Sequence, residues 1–371
     1  MKLYYVANVR IPTEKAHGIQ IMKMCEAFAR QGFDVELIVP RRFTQINSNP
    51  FEYYSTKSIF SIKKMPCIDL VRYGKWGFYV QAISFALSAF FYVMFTPKAV
   101  IFGRDEQSLM LVSFFRQVAW ETHTSVYNQA TKVLLRMKPF VVTITHGLEN
   151  FYISKGFNSK NIFVSPDGVD ERLFGVTTTK YEARSKLGIP LGKKVVLYTG
   201  HLYDWKGAHT LARASQDLPE DVLVYFVGGT EGDIKSFKEQ FGAMPNIRIL
   251  GKKPYAEIPL YLKSADVLVI PNSAKSDISN LYTSPMKLFE YMEGGVPIVA
   301  SSIPSIREII DDSSAFFCSP DDSVSLSDAI MRVLANNEEA QKKAIQARII
   351  VKNYTWEKRA RNILDFIKVQ L

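Results

Sequence analysis

The sequence predicts an α/β protein made of two doubly wound, Rossmann-like domains with parallel sheets. Its 371 residues exceed what one hydrophobic core usually serves. Short apolar runs rich in β-branched residues recur along the chain, and helical patterns lie between most of them. Strands that are buried on both faces and joined by helices form parallel sheets, so two such series indicate two domains.

The strand predictions fall into two series along the chain. The first series is Leu3–Val9, Val35–Val39, Val100–Phe102, Val118–His123, Phe140–Thr145 and Ile162–Ser165. The second is Lys194–Thr199, Val222–Val227, Ile247–Leu250, Val267–Ile270, Pro297–Ala300 and Ala315–Phe317. A helix is predicted at Ile19–Arg30, ended by Gly32.

These series place the domains at residues 1–170 and 171–350, followed by a C-terminal helix at 351–371 that returns toward the first domain. Open parallel sheets bind ligands outside the carboxyl ends of their strands. We therefore expect the two domains to face each other across a cleft lined by the loops that follow the strands.

Cysteine use and the N-terminal residues indicate the compartment. Cys25, Cys67 and Cys318 are far apart and form no CxxC pair, which argues against a disulfide framework and a thiolate metal site. The first residues lack the basic-then-apolar layout of a signal peptide. We expect a cytoplasmic protein.

The net charge of +10 is unevenly shared, since residues 1–170 contain 20 Lys/Arg against 12 Asp/Glu. This excess suits an anionic partner such as a membrane surface, a phosphorylated lipid or an acidic polymer, or else a solvated basic surface. No nucleic-acid-binding module is recognised, so nucleic acid is not an expected partner.

The segment Phe78–Phe95 is almost long enough to span a bilayer. Gln81, Ser84 and Ser88 give it one weakly polar stripe at helical spacing. Three interpretations follow: a helix buried in or lying against the first domain, a helix at the membrane surface, or a true span.

The segment from Thr283 to Met292 carries the clearest chemical signal. Ser284 suits a helix N-cap and Pro285 the first helical position, and apolar residues then dock the helix. Free N–H groups at a helix N-terminus, together with nearby hydroxyls, favour phosphate. Glu290 stands among apolar residues, which an ordinary capped helix does not explain.

Other candidates follow strands. Lys206 lies in the segment Tyr198–Gly207, where a flexible ammonium can neutralise a diphosphate. The loop Arg10–Gly18 follows the first strand but lacks the GxGxxG fingerprint of dinucleotide-binding proteins. His123, with Glu121, ends another strand, and Arg104 ends a third.

In order along the chain, these pieces resemble glycosyltransferase family 4, whose members have the GT-B fold and retain anomeric configuration. The resemblance spans nearly the whole chain and rests on the ordered set rather than on one motif. The pieces are His17-Gly18, Arg104, Glu121-x-His123, Pro166–Asp170, Gly200–Gly207, Gly228-Gly229, Gly251, Ser284-Pro285 to Glu290, Gly295–Ser301 and Tyr354–Arg359.

The resemblance implies roles for individual residues. Glu290 matches the second acid of a Glu-x7-Glu motif and implies a hydrogen bond to the donor ribose. Lys206 implies a contact to the donor diphosphate, and His123 a contact near the transferred sugar. The catalytic set is therefore His123, Lys206 and Glu290. The implied donor site adds His17, Gly18, Gly200, His201, Gly251, Lys252, Tyr282, Thr283, Ser284 and Pro285, whereas Arg104 and Glu121 are assigned to the acceptor.

Two residues depart from the family pattern. Tyr282 stands where the first acid of Glu-x7-Glu is expected. In the family that acid helps to hold the transferred sugar, so the resemblance leaves that contact to the sugar unassigned. His201 stands where many relatives have an Arg for the diphosphate, and a neutral imidazole stabilises less negative charge than a guanidinium.

The expected function is therefore transfer of a sugar from a nucleoside-diphosphate sugar to a glycan or lipid-linked acceptor, as in surface polysaccharide synthesis. No Asp-x-Asp motif ends a strand, so neither a metal nor another cofactor is expected. The basic first domain and Phe78–Phe95 suggest peripheral contact with the inner face of a membrane. The alternatives are a non-catalytic nucleotide-sugar-binding scaffold and a nucleotide-sugar epimerase.

Overall fold

The computed structural model describes residues 1–96 and 99–369. It divides into two compact units. Unit 1 comprises Met1–Pro166 and Trp356–Leu371, and unit 2 comprises Asp167–Thr355. The divisions thus fall at 166/167 and 355/356, whereas the predicted divisions are 170/171 and 350/351.

Each unit contains one parallel sheet formed by the described strands. Unit 1 has a seven-stranded sheet in the order β3-β2-β1-β4-β5-β6-β7. Its strands are β1 (Lys2–Val6), β2 (Asp34–Pro40), β3 (Ser61–Met65), β4 (Val100–Gly103), β5 (Val118–Thr122), β6 (Phe140–Thr143) and β7 (Ile162–Val164). Unit 2 has a six-stranded sheet in the order β10-β9-β8-β11-β12-β13. Its strands are β8 (Lys194–Thr199), β9 (Val222–Val227), β10 (Ile247–Gly251), β11 (Val267–Ile270), β12 (Ile298–Ser301) and β13 (Phe316–Cys318).

Helices connect successive strands in both units. Unit 1 contains α1 (Ala16–Arg30), α2 (Pro50–Tyr53), α3 (Lys75–Met94), α4 (Glu106–Ser113), α5 (Gln129–Arg136) and α6 (His146–Ser154). Unit 2 contains α7 (Glu171–Phe174), α8 (Lys180–Leu187), α9 (Ala208–Ala214), α10 (Glu231–Phe241), α11 (Ile258–Ser264), α12 (Asp277–Asn280), α13 (Met286–Gly294), α14 (Pro304–Arg307), α15 (Ser323–Ala335) and α16 (Asn337–Val351). The last helix, α17 (Trp356–Val369), belongs to unit 1 and packs against α1.

Both faces of the unit 2 sheet are buried, as strand β8 illustrates. Val195 and Leu197 point into a core shared with α13, whereas Val196 and Tyr198 point into a second core shared with α9 and α15. Successive side chains of a strand point to opposite faces, so a strand covered on both sides is apolar throughout. This burial explains why continuous apolar runs identified the strands of both sheets.

The predicted fold class is confirmed, with one strand missed. Strand β3, with the sequence SIKKM, was not predicted because Lys63 and Lys64 make it resemble a polar loop. It lies at the edge of the sheet, where charged side chains prevent pairing with other chains.

Helix α1 begins earlier than predicted. The expected loop Arg10–Gly18 ends at Lys15, and His17 and Gly18 lie in the first turn of α1. A Cβ on Gly18 would lie 2.3 Å from the hydroxyl oxygen of Tyr54, so close packing against Tyr54 requires a glycine there. A phosphate contact is not needed to explain this residue.

Helix α3 covers the segment interpreted in three ways. Within the described ranges it is the one helix long and apolar enough to cross a membrane by length and composition. One face, including Phe85, Ala89 and Val93, is buried in the core of unit 1. The opposite face is exposed to solvent. The helix therefore lies against the first domain, as one of the three interpretations has it, but only one of its faces is buried there.

Candidate functional site

The strand orders place two loop clusters at switch points, where the chain leaves the sheet in opposite directions. In unit 1 the switch point lies between β1 and β4, and in unit 2 between β8 and β11. Loops that follow such neighbouring strands separate and leave a crevice that can bind a ligand. The loops following β1 and β8 contain Arg10 to Lys15 and Gly200 to Lys206, and the segment after β11 leads to α13. The predicted candidates in these loops, among them Lys206 and Ser284, therefore lie where parallel sheets bind ligands.

The N-terminus of α13 differs by one residue from the prediction. Helix α13 begins at Met286, so Pro285 occupies the N-cap position and no described side chain caps this end. Ser284, predicted as the N-cap, instead accepts a 2.9 Å hydrogen bond from the backbone N–H of Asp167 through its Oγ. Ser284 thereby fixes the start of unit 2 to the loop before α13, while the first N–H groups of α13 lack a side-chain partner.

Glu290 lies on α13 and is almost fully buried. Its Oε1 accepts a 2.9 Å hydrogen bond from the hydroxyl of Tyr255. Burial raises the pKa of Glu290 to about 7, against the opposing effects of Tyr255 and Lys287. The carboxyl is therefore poised to gain from any further hydrogen-bond donor, such as a hydroxyl of a ligand.

The loop after β8 presents Lys206 next to a glycine that the fold requires. Gly207 has a φ of +73°, and a Cβ there would lie 1.6 Å from the carbonyl oxygen of Pro271. This close approach brings the loops after β8 and β11 together. Burial lowers the pKa of Lys206 to about 8, opposed by Asp233.

His201 follows Gly200 in the same loop and is held by its neighbours. Its ring stacks on Tyr203 with centroids 4.9 Å apart, and its Nδ1 lies 3.5 Å from Oδ2 of Asp233. The hydroxyl of Tyr198 donates a 2.6 Å hydrogen bond to the carbonyl oxygen of His201. These contacts fix the loop in which Lys206 lies.

The remaining donor-site predictions lie around these groups in unit 2. Gly251 ends β10 and accepts a 2.8 Å hydrogen bond from the N–H of Gly228, and Lys252 beside it is exposed. The N–H of Tyr282 donates to the carbonyl oxygen of Asp277. Tyr282 and Thr283 are partly exposed just before α13.

Lys287, the second residue of α13, was not predicted as a site residue. Its Nζ is buried, none of the described residues accepts a hydrogen bond from it, and it lies 4.0 Å from the centroid of the Tyr198 ring. Burial, with Lys206 nearby, lowers the pKa of Lys287 well below its ordinary value. The signal was available, because Lys287 interrupts the apolar run of α13 as Glu290 does.

In unit 1, Glu121 is the centre of a buried polar network. Its Oε1 accepts hydrogen bonds from Gln20 at 2.7 Å and from His123 at 2.6 Å. Its Oε2 pairs with Arg359 of α17 at 3.0 Å. Arg104 joins through a 2.8 Å hydrogen bond to Oε1 of Gln20.

The charges around Glu121 determine its ionisation and its role. Burial alone would raise the pKa of Glu121, but Arg359, His123 and Arg104 hold it well below its ordinary value. The side chain has no exposed surface. The predicted direct contact with an acceptor therefore does not fit Glu121, which instead positions its neighbours, including Arg104.

The two histidines of this region are neutral near pH 7. Burial and then Arg104 lower the pKa of His123 to about 4, against the opposing effect of Glu121. Burial and Arg104 likewise lower the pKa of His17 to about 3. Because the carboxylate of Glu121 can only accept, Nε2 of His123 carries the proton and Nδ1 is the acceptor nitrogen.

Arg359 and Gln20 were not predicted as site residues. Arg359 also donates to the carbonyl oxygens of Ser165 and Pro166, so it ties α17 to the end of β7 as well as to β5. From the sequence, Arg359 is one of several basic residues on an amphipathic helix. Its burial depends on a contact between residues 238 positions apart.

Two further features bear on the chemistry. Among residues 1–96 and 99–369, no three His, Cys, Asp or Glu side chains are grouped so as to hold a metal ion. A surface cavity of about 550 Å³ lies beside the edge strand β3 and is lined by Arg41, Lys63 and Lys64 among others. No predicted site residue lines this cavity.

Solved structures share the fold over the whole chain. Anabaena HepE, solved in complex with UDP, matches with a TM-score of 0.77 and 15% identity over 100% of both chains. The same protein has also been solved with UDP-glucose. At this identity the likeness establishes the GT-B fold.

Curated relatives match over a shorter stretch. A D-inositol 3-phosphate glycosyltransferase of Xylanimonas cellulosilytica is 23% identical over 222 residues, which are 57% of this chain and 52% of the relative. A putative teichuronic acid biosynthesis glycosyltransferase of Bacillus subtilis is 27% identical over 194 residues, 52% of this chain and 46% of the relative. The chain thus spans about half the length of the curated relatives it matches.

The family comparison covers the part of the chain that contains β8 to α16 and most of α17. The sequence model described as "Glycosyl transferases group 1" matches residues 179–367, just over half of the chain. Lys206, Lys287 and Glu290 all lie inside this match. The chain belongs to the glycosyl transferases group 1 family.

Proposed function

We propose that this protein is a glycosyltransferase that uses a nucleoside-diphosphate sugar as its donor. The observation that carries the proposal is the group of Lys206, Glu290 and the N-terminus of α13 at the switch point of the unit 2 sheet. A cation and free N–H groups suit a diphosphate, and a buried carboxyl suits the hydroxyls of a ribose. The structural neighbour solved with UDP and UDP-glucose supports this class of donor.

Departure of the nucleoside diphosphate is the step that the site assists. The bond between the anomeric carbon and the diphosphate oxygen breaks, and negative charge accumulates on the diphosphate. Lys206 and the N–H groups of α13 are fixed before the reaction, so they stabilise this charge without reorganisation. We propose that these groups supply the positive charge and that transfer requires no metal or other cofactor.

Glu290 is proposed to accept hydrogen bonds from the donor ribose. Tyr255 already holds its Oε1, which fixes the orientation of the carboxyl. Each added donor lowers the pKa of Glu290 from about 7 and favours the carboxylate, so binding and ionisation reinforce each other.

Transfer with retention is proposed from the resemblance to retaining GT-B enzymes. The acceptor hydroxyl attacks the anomeric carbon on the face that the diphosphate leaves, and its proton passes to a diphosphate oxygen. Glu121 does not serve as a nucleophile, because it is buried and already ion-paired with Arg359. His123 is neutral near pH 7, and its Nδ1 is the ring nitrogen suited to accept from a sugar hydroxyl.

Ligand-dependent melting tests the donor assignment. A ligand that binds the folded state raises its melting temperature by mass action, so UDP, GDP and their sugars are compared for the size of the shift. Glu290→Ala should abolish the shift, and Glu257→Ala, an exposed carboxylate of the same unit, should leave it unchanged. A full shift in Glu290→Ala would exclude the ribose contact, and no shift with any nucleotide in the wild type would exclude the donor site.

We further propose that the acceptor is a glycan or lipid-linked glycan used in surface polysaccharide synthesis, reached at the inner face of the cytoplasmic membrane. Helix α3 supports this location because it buries a polar side chain and exposes large apolar ones, the reverse of an ordinary amphipathic helix. Its polar Gln81 is buried and donates a 2.8 Å hydrogen bond to Asn8, whereas Trp76, Ile83 and Phe91 are exposed. A large exposed apolar face marks an interaction surface.

Basic residues near α3 fit an anionic membrane. Arg72 and Lys75 lie at its N-terminal end, and the Nζ of Lys63 lies 5.4 Å from the centroid of the Tyr92 ring on the helix. Apolar side chains that enter the interface, together with basic residues beside them, bind anionic lipid surfaces. The Bacillus subtilis relative is named as a putative teichuronic acid biosynthesis glycosyltransferase, and this name supports a biosynthetic role of this kind.

Vesicle sedimentation tests this surface. The wild type should sediment with phosphatidylglycerol vesicles at low salt, and Ile83→Asp should prevent this. Ile345→Asp, which changes an equally exposed isoleucine on α16, should sediment like the wild type. A wild type that stays in solution with these vesicles would contradict the membrane proposal without affecting the donor site.

A non-catalytic donor-binding scaffold is the second candidate, favoured by Tyr282 in place of the expected acid. Hydrolysis or transfer of a donor sugar by the purified protein supports the enzyme. Nucleotide binding without turnover, across the acceptors tested, supports the scaffold.

A further inference from the structure

Lys287 is a buried lysine for which the described residues supply no hydrogen-bond acceptor. Its Nζ is buried, has no hydrogen-bond acceptor among the described residues, and lies 4.0 Å from the centroid of the Tyr198 ring. Burying an ammonium group without an anion is costly, and a cation–π contact offsets only part of that cost. Such an arrangement in a folded protein calls for a functional explanation.

The charged neighbours of Lys287 add to this imbalance. Lys206 repels the Lys287 ammonium, and Glu290 attracts it. The hydrogen bond to the Glu290 carboxyl comes instead from the hydroxyl of Tyr255. Burial lowers the pKa of both lysines and raises the pKa of Glu290, so each of the three groups is held away from the charge state that it has in water.

The position of Lys287 indicates which class of ligand it suits. It is the second residue of α13, whose N-terminus has no described side-chain cap. Lys206 approaches from the loop after β8, where Gly207 packs against the backbone of Pro271. Two ammonium groups and a helix N-terminus together match an anion with several oxygens on more than one phosphorus atom.

We propose that Lys287 is a second residue that binds the diphosphate of the donor, acting together with Lys206 and the N-terminus of α13. This inference rests on the proposed function, because it assigns a further contact within the same donor site. Lys287 contributes most when the leaving diphosphate carries its full charge, so it assists bond cleavage as well as binding.

Proton uptake on binding is a consequence of the proposal. Above pH 8 a fraction of Lys206 is neutral in the protein without ligand, and Lys287 loses its proton more readily than an ordinary lysine. A bound diphosphate favours the ammonium form of both lysines. Asp233 faces Lys206 and Glu290 faces Lys287, but both already favour the ammonium form before the ligand binds.

The test compares Lys287→Met with Lys263→Met by isothermal titration calorimetry. Lys263 lies on α11 outside the site, and burial also lowers its pKa, which makes it a matched control. The ligands are UDP and GDP, with uridine and guanosine as controls that lack phosphate. Loss of one charge-assisted hydrogen bond should weaken diphosphate binding by roughly 10- to 100-fold, with little effect on the nucleosides. Lys263→Met should bind like the wild type.

Two further measurements separate binding from a structural role. Melting temperatures without ligand should be equal or higher in Lys287→Met, because the substitution removes a buried charge. A structural role predicts the reverse, a large loss of stability. Titrations at pH 8.5 in two buffers of different ionisation enthalpy should show less proton uptake by Lys287→Met than by the wild type.

The outcomes are distinguishable. Equal diphosphate affinity in the wild type and Lys287→Met would overturn the role of Lys287 and leave the proposed function standing. A wild type that binds neither UDP nor GDP would overturn the donor site itself. If Lys287→Met does not fold, Lys287→Gln is measured instead, and the same comparison with the wild type decides.

Discussion

The polar clusters of the two units contain similar residues but differ in how their charges are satisfied. In unit 1, the buried carboxylate of Glu121 accepts from Gln20, His123 and Arg359. In unit 2, the Nζ of Lys287 has no acceptor among the described residues, and the carboxyl of Glu290 accepts a hydrogen bond from the hydroxyl of Tyr255. A saturated network fixes a structure, whereas an incomplete one gains free energy when a ligand completes it.

Removal of one partner should have its largest effect in the saturated cluster. Arg359→Met leaves Glu121 as a buried carboxylate without its guanidinium, which should lower the free energy of unfolding by about 3–5 kcal/mol. Urea denaturation measures this loss, with Arg361→Met on the exposed face of α17 as the control. If the Glu121–Arg359 pair is the cause, adding Glu121→Gln to Arg359→Met should restore part of the stability.

Acid should destabilise the cluster of unit 1. The pKa of His123 is about 4 in the folded protein and near 6.5 in the unfolded chain, so the unfolded state binds more protons between these values. Stability is therefore lost as the pH falls from 6.5 to 4, by at most about 3 kcal/mol from His123. Hydrogen exchange of the β5 and α17 amides should show this loss, and His123→Gln should reduce it.

Glu290 should produce the opposite pH dependence. Its pKa is about 7 in the folded protein and 4.5 in an ordinary environment, so the folded state binds more protons in this window. Stability contributed by protonated Glu290 is lost as the pH rises from 4.5 to 7. Glu290→Gln should raise the free energy of unfolding by about 2 kcal/mol at pH 8 without ligand. Denaturation at pH 5 and pH 8 measures the effect, and equal differences from the wild type at both values would contradict it.

Lys206→Met should reveal the incomplete cluster through binding rather than folding. The variant should weaken binding of UDP or GDP by about 1.5–3 kcal/mol while leaving the unliganded protein as stable as before. Lys235→Met, on the exposed side of α10, should leave binding unchanged. A loss of stability equal to the loss of affinity would mean that Lys206 supports the fold rather than the ligand.

The sequence by itself determined the two sheets and the family resemblance. Runs such as Lys194–Thr199 and Val222–Val227 matched the observed strands because buried parallel strands are apolar on both faces. Glu290 was predicted as a site residue because a carboxyl is unusual among the apolar residues of α13. Edge strand β3 was not predicted, because its lysines face solvent and its sequence therefore has no continuous apolar run.

Only the tertiary structure decided which polar groups are satisfied. Ser284 binds the N–H of Asp167 across 117 residues, and Arg359 reaches Glu121 across 238. Local patterns cannot encode such pairings, because they depend on how distant strands and helices come together. The sequence shows Lys287 as a charged residue within an apolar helix, but only the tertiary structure shows that its Nζ is buried without an acceptor among the described residues.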